Sequence, residues 1–548
     1  MLIQDALRME DPYDLHDVKL ALREEFDNLL LPTAVDQLGG DSSCPLEPVT
    51  PIPGGFPKNS IMLLQGLIKW KFSATGNLQK VKGRIVLRGD SVPKDQYTRI
   101  EISTPVANES AFGILIVVAL MRNMVISVLD ITAAFLQAKW EDSTGVEYAM
   151  FPKALADLLV EYRPEFKRFQ DIKGAIFARI NRGVYGSRQS SALFFKLMCS
   201  VLIEFGLIQN GYDAATFHGY VNGIYYIVLL HVDDLLLACD TIAGQNKFYE
   251  FLESKFPSKL KIQQGENLEY LGRSLNLAVP NECSVTMDKH VRKAYGSIQG
   301  VSQRPALDDL FQVDDTSPRL SEENRLVFHQ QVGSLQWVAL KLRLDVATAV
   351  SFLATRVLVA TEQDERKLHA VMKYLKGTAS TKLVIKPDNL QLRAYIDASF
   401  ASHPDSGKGH SGIIVTLGGA PIYVRSTRQK IAAKSSTEAE ILAVSDRLSD
   451  VIWLHLYLKE VLPPSELLKP IILYQDNQST MDLLEAGSAC DGRSRHIQNR
   501  LFWSSDFIQA GIVNTEYLST DRMPADLLTK PVPLAVLERH MQFLGFRK

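Results

Sequence analysis

The sequence predicts an α+β chain of several domains, and three observations predict it. Ile224 to Leu230 is an unbroken apolar and aromatic run that passes through His231-Val232 into Asp233-Asp234. A second apolar run, Leu235 to Cys239, follows at once, and two such runs meeting at a polar point read as a hairpin of buried strands. Other β-rich runs also end at acids: Met124–Leu129 before Asp130, Leu392–Ile396 before Asp397 and Ile471–Gln475 before Asp476. Between them lie helical periods, of which Ile441, Leu442, Val444, Leu448, Val451 and Ile452 form one apolar stripe. The length of 548 residues suits about three or four domains.

The net charge of -2 is unevenly spread, because residues 1–60 hold eleven acids against four bases. The remainder is mildly basic, which is compatible with a polyanionic partner. Cys44, Cys199, Cys239, Cys283 and Cys490 are odd in number, scattered and without CxxC spacing, which argues against a disulfide framework or a zinc site and suits a reducing compartment. The most apolar segment, Gly113–Met121, is too short to span a bilayer, and no signal peptide begins at Met1. A soluble, intracellular protein without membrane contact is expected.

Along the chain, a helix is expected over Leu15–Leu31, followed by a linker with Pro45, Pro48, Pro51, Pro53, Gly54, Gly55 and Pro57. Leu67–Phe72 and Gly83–Arg88 read as a hairpin turning near Gly76-Asn77. It carries Lys69, Lys71, Lys80, Lys82, Arg84 and Arg88, either a clamp for triphosphate or nucleic acid or a solvated edge. The acid pair Asp233-Asp234 is likewise either a solvated turn or a metal site. The second reading needs a third carboxylate, and Asp130 supplies one. Carboxylate oxygens with open water positions suit Mg²⁺, and two such ions can serve an in-line phosphoryl displacement. Strict strand alternation would send Asp233 and Asp234 to opposite faces, ranking Asp233 as the surer ligand and Asp234 as supporting. Residues 276–390 look helical and connective, with an apolar period over Val327–Val359 and a helix stop at Lys376-Gly377.

These stretches resemble the reverse transcriptases of copia-type retrotransposons. Asp130-Ile131-Thr132-Ala133-Ala134-Phe135-Leu136 looks like their first catalytic motif, and His231-Val232-Asp233-Asp234 is similar to their Tyr-Val-Asp-Asp box. Arg182–Gln189, Val81–Val86 and Tyr270-Leu271-Gly272 resemble further segments of the family, in order over residues 65–275. His231 departs from the family's Tyr, and Ser190-Ser191-Ala192-Leu193-Phe194 from its Ala-Pro-Arg-Leu-Trp. By this resemblance Asp130, Asp233 and Asp234 would hold two Mg²⁺, Phe135 would crowd the sugar 2′ position, and Gln189, Lys82 and Arg84 would contact the incoming nucleotide.

The last 155 or so residues repeat the carboxylate logic. Asp397 and Asp476 end strands, Thr437-Glu438-Ala439-Glu440 opens a helix, and Asp526 lies in Met523–Lys530. A capping box of Thr437 with Glu440 would occupy Glu440 and leave Glu438 as the better ligand. The run is similar to the RNase H domain that follows the polymerase in copia-type elements, through Tyr395–Ala398, Ser435–Glu440, Asp476–Ser479, Arg495-His496-Ile497 and Ala525–Pro531. The resemblance implies that Asp397, Glu438, Asp476 and Asp526 bind two Mg²⁺, with His496 either assisting or an ordinary surface histidine. Asp405-Ser406-Gly407 fits the aspartic-protease triplet but lacks the hydrophobic frame such a site needs.

The implied fold is an α+β right-hand polymerase of fingers, palm and thumb followed by an α/β RNase H-like domain with a mixed sheet. The expected division is an N-terminal helix and linker over 1–60, fingers and palm over 61–275, thumb and connection over 276–390, and RNase H over 391–548. The implied activity is RNA-directed DNA polymerisation with RNase H. It would use Mg²⁺, or Mn²⁺ in its place, with RNA template, DNA primer, RNA–DNA hybrid and dNTPs as partners. Other parts of the Pol polyprotein or a second copy would be its protein partners, in the cytoplasm within a virus-like particle or in the nucleus. The chain reads as the C-terminal part of Pol, either a processed product or a truncated copy. The alternatives are a decayed or domesticated fragment that binds nucleic acid without polymerising, and a different two-metal phosphotransferase or nuclease. Seven bare acids facing one another would be costly, which argues against long decay.

Overall fold

The computed structural model describes residues 12–31, 44–50, 56, 60–72, 78–92, 95, 97–141, 145–257, 259–463, 466, 468–487 and 497–548. Gly76-Asn77 and His496 therefore lie outside the described residues. Among the described residues the strands form four sheets.

The first sheet has the order β1 (Leu46–Val49), β6 (Ile176–Ile180), β5 (Tyr148–Phe151), β2 (Ile61–Phe72) and β3 (Leu78–Leu87). The basic hairpin β2–β3 is longer than the sequence suggested and pairs Leu64 with Leu87 through Lys71 with Lys80. Helix α1 (Pro12–Leu30) buries Val18, Leu22, Phe26 and Leu29 in the core shared with this sheet. Gly83 permits that approach, because a Cβ there would lie 2.8 Å from the Ala21 carbonyl oxygen.

The second sheet runs β11 (Leu260–Gln263), β4 (Val125–Ile131), β10 (Asp234–Cys239), β9 (Ile224–His231), β8 (Thr216–Val221), β7 (Ile208–Gln209). Its central strands are apolar on both faces because both faces are covered. Leu230, Leu235 and Leu129 meet Phe194 and Met198 of α3 (Ser190–Glu204) and Phe248 and Leu252 of α4 (Ile242–Lys255). Leu229, Leu236 and Val128 share a core with Ile116 and Val117 of α2 (Glu109–Met121), a helix so apolar that Ser110–Ala119 are all buried.

The connective region is not purely helical. It holds α5 (Glu322–Lys341), α6 (Ala347–Arg356) and α7 (Glu362–Gly377), and it also contributes to a third sheet. That sheet orders β12 (Asn267–Tyr270), β13 (Arg273–Asn276), β14 (Cys283–Thr286), β15 (Lys382–Ile385) and β21 (Phe546–Arg547). Strands of four residues or fewer give too little alternation to be read from sequence.

The fourth sheet is mixed, as expected for an RNase H-like unit. β16 (Leu392–His403), β17 (Lys408–Leu417) and β18 (Ala420–Arg428) are antiparallel, while β19 (Ile471–Gln475) and β20 (Val513–Tyr517) add in parallel beside β16. Helix α8 (Ser436–Val461) spans about 39 Å at 1.5 Å per residue. Its far end docks on the second sheet: Tyr225 Oη donates to the Val461 carbonyl at 2.6 Å, Trp453 Nε1 to the Tyr212 carbonyl at 3.2 Å and the Gly211 N–H to Glu460 at 2.7 Å. No helix among the described residues is long and apolar enough to cross a membrane.

Candidate active sites

The first site lies where β9 turns into β10. A two-residue turn, Val232-Asp233, separates the strands, and Val232 sits at φ +60°, a conformation β-branched residues rarely adopt. The Ile131 N–H donates to the Asp233 carbonyl at 3.0 Å and ties the turn to β4. Because a turn intervenes, the strict-alternation argument that demoted Asp234 does not apply. Asp234 pairs in register with Asp130 on one side and His231 on the other, so its side chain shares a face with Asp130.

Burial raises the Asp233 carboxyl pKa, helped by nearby Asp130, and pushes Asp234 up to about 6, helped by Asp233 and Asp130. Burial, with the Lys341 ammonium nearby, lowers His231 and favours the neutral imidazole. Lys261 forms an ion pair with Asp130 at 3.5 Å.

The expected nucleotide contacts separate into two groups. Arg84 lies over the Tyr185 ring at 4.3 Å, and the charge of Asp233 acts on it. The Phe135 ring packs tilted against Tyr185 at 4.9 Å and edge-on against Phe194 at 6.3 Å, so Arg84, Tyr185 and Phe135 form one contiguous cluster beside the acids. Lys82 lies beside Glu25 of α1, and Gln189 is buried before α3, its Nε2 without a hydrogen-bond partner among the described residues. Tyr185 went unassigned in the sequence, although an aromatic between Gly183 and Gly186 was the available signal.

The second site is tighter. Oxygens of Asp397, Glu440 and Asp476 lie within 4.8 Å of one another. Among the described residues no other group of three His, Cys, Asp or Glu side chains closes to that distance, and Asp130, Asp233 and Asp234 do not. The carboxylate brought in from α8 is thus Glu440 and not Glu438, which corrects the sequence reading. Ser435 is the N-cap and accepts from the Glu438 N–H at 3.2 Å, while Glu438 Oε2 accepts from the Lys434 N–H at 3.0 Å. The helix therefore starts earlier than a Thr437 cap implies. Ser435 does the capping, Glu438 is held at the helix start by the Lys434 N–H, and Glu440, about 200° further round, faces β16.

Glu440 accepts from the Ala398 N–H at 3.1 Å and Gln475 Nε2 at 3.3 Å. Thr529 Oγ1 donates to Asp397, and Thr520 Oγ1 to Asp476 at 2.8 Å. Asp526 is buried, is ion-paired with Lys530 at 2.9 Å and lies close enough to Asp397 to raise its pKa. Burial first, and Asp526 next, push Asp397 up to about 7; burial and then Asp397 and Asp476 push Glu440 up. Buried acids crowded this way favour a bound divalent cation, and an all-oxygen donor set fits a hard one. Asp405 sits in the exposed turn between β16 and β17, ion-paired with Arg428 at 3.7 Å.

Residues 64–280 match the family model described as reverse transcriptase (RNA-dependent DNA polymerase). The chain is 26% identical over 505 residues to the retrovirus-related Pol polyprotein from transposon RE2 of Arabidopsis thaliana, covering 91% of this chain and 33% of that protein. It is 24% identical over 491 residues to the corresponding polyprotein from transposon TNT 1-94 of Nicotiana tabacum, covering 87% and 35%. The chain thus spans about a third of the length of these relatives. A foamy viral protease–reverse transcriptase solved in complex with double-stranded DNA is similar over 80% of this chain and 63% of that one, with 12% identity and a TM-score of 0.44.

Proposed function

We propose that the chain, a relative of copia-type retrotransposon Pol polyproteins with a reverse transcriptase domain over residues 64–280, is an RNA-directed DNA polymerase with RNase H activity. It would copy retrotransposon RNA into DNA from a DNA primer and dNTPs and hydrolyse the RNA strand of the hybrid. The observation that carries this reading is that one chain places carboxylates at two separate sheet edges, Asp130 across from Asp234 and Asp397 with Glu440 and Asp476.

Mg²⁺, two ions per centre with Mn²⁺ as a substitute, would lower the pKa of the attacking 3′-hydroxyl or water and neutralise phosphate charge. Asp130, Asp233 and Asp234 would hold it at the first centre, and Asp397, Glu440, Asp476 and Asp526 at the second. Arg84, braced on Tyr185, presents a guanidinium to the triphosphate, and Phe135, packed against the same Tyr185, bounds the sugar edge. Thr529 and Gln475 orient Asp397 and Glu440. The division into fingers and palm over 61–275, thumb and connection over 276–390 and RNase H over 391–548 is part of the proposal.

The test is primer extension on an RNA template with Mg²⁺. Extension that disappears in Asp233→Ala supports the reading, and extension that persists equally in that variant overturns the metal assignment. Hybrid binding without extension at any Mg²⁺ or Mn²⁺ concentration would instead identify an inert nucleic-acid-binding fold.

A further inference from the structure

The short turn Pro524–Leu528 carries Asp526, and Thr529 follows it directly. Three consecutive carbonyls at its end each accept a hydroxyl from a different element. Leu527 accepts from Thr348 Oγ1 of α6, Leu528 from Ser426 Oγ of β18 at 2.7 Å and Thr529 from Ser399 Oγ of β16 at 2.9 Å. The segment also presses on β17 where Gly412 stands: a Cβ there would lie 2.7 Å from the Leu528 Cβ. Behind Ser426 is a buried pair of imidazoles. His410 Nε2 lies 2.8 Å from Ser426 Oγ, and His410 Nδ1 lies 3.0 Å from His403 Nε2. His403 and His410 are 1% and 0% exposed, and the Phe311 ring lies 4.9 and 5.2 Å from them.

We infer that Ser426 and His410 are positioning residues for the hybrid-cleaving centre, acting through the backbone of the segment that carries Asp526 and Thr529. The inference rests on the proposed RNase H reading of that centre. A hydroxyl has one proton, so a Ser426 that donates to Leu528 must accept from His410 Nε2–H. Neutral His410 then offers Nδ1 as an acceptor, and His403 donates to it from Nε2–H. The chain of bonds has one direction, His403 to His410 to Ser426 to Leu528, and it requires the Nε2–H tautomer in both rings. Burial keeps both rings neutral, with His403 down to about 4 and His410 down to about 3. Thr348 lies outside the mixed sheet, so the connective helix α6 takes part in placing the fourth carboxylate.

The experiment uses the full chain with Ser426→Ala, Ser426→Thr and His410→Phe. Outer-shell partners of this kind are worth about 10- to 100-fold in activity or metal affinity. The expected result is that Ser426→Ala and His410→Phe lower kcat for hybrid cleavage by about tenfold or more and weaken Mg²⁺ binding by calorimetry. KM and primer extension should stay at the wild-type level, and Ser426→Thr should restore cleavage. Histidine-selective ¹⁵N spectra should show two Nε2–H imidazoles. Unchanged cleavage and Mg²⁺ affinity in Ser426→Ala, or Nδ1–H tautomers, would overturn the inference. A wild-type chain that cleaves no hybrid would overturn the reading of the centre instead, while the tautomers and the calorimetry would still decide the positioning.

Discussion

Replacing Asp397 by Asn removes one charge from a pocket where Glu440 and Asp476 lie within 4.8 Å and Asp526 is close by. Asn keeps the shape and can still accept from Thr529. The folded carboxyl is raised from 3.8 to about 7, which corresponds to about 4 kcal/mol of destabilisation once it is fully ionised. The direction follows from proton binding. Between about pH 4 and 7 the folded chain holds a proton that the unfolded chain has lost, so stability falls as pH rises through that window. Asp397→Asn should therefore raise the metal-free melting temperature at pH 8, change it little at pH 4, and abolish hybrid cleavage. Mg²⁺ should stabilise the wild type more than the variant. Thermal unfolding at both pH values, with and without Mg²⁺, is the assay. A variant less stable than wild type at pH 8 without metal would refute the crowded-acid account.

Three other outcomes follow from named contacts. Glu440→Gln should eliminate hybrid cleavage, whereas Glu438→Gln should keep most of it and cost about 1 kcal/mol or less of stability through the weakened helix start; equal losses in both would contradict the assignment of Glu440. Arg84→Ala should raise the KM for dNTPs about tenfold in primer extension, an effect of about 1.4 kcal/mol, with Arg84→Lys recovering little because an ammonium lacks the planar stack on Tyr185. Asp345→Ala should destabilise the chain by about 3–5 kcal/mol in denaturant titration, because it strands Arg343, buried and now paired with Asp345 at 2.8 Å.

The stretches that could be read from sequence were those where one force dominated. The run from Ile224 to Cys239 is apolar on both strand faces, so neither its hairpin nor its burial depended on register. Asp130, Asp397 and Asp476 were visible because an acid interrupts an apolar run abruptly, but β16 continues past Asp397 to His403, so that acid lies within its strand and does not end it. Register within a motif was harder. Ser435, Ser436 and Thr437 can all cap a helix, and a shift of two residues exchanges the faces of Glu438 and Glu440. The alternation rule failed at Val232 because it presumes a continuous strand, and a positive φ ends one. Thr348, His403, His410 and Ser426 carry no local signal. They meet only after β16, β17 and β18 pair and α6 packs beside them.

The chain is proposed to hold two separate metal-dependent centres. The most direct measurement assays primer extension and hybrid cleavage on the same preparations of wild type, Asp130→Asn and Asp476→Asn. The expected pattern is reciprocal: Asp130→Asn loses extension and keeps cleavage, and Asp476→Asn loses cleavage and keeps extension. Both activities surviving in both variants, or each variant losing both while remaining folded, would contradict it.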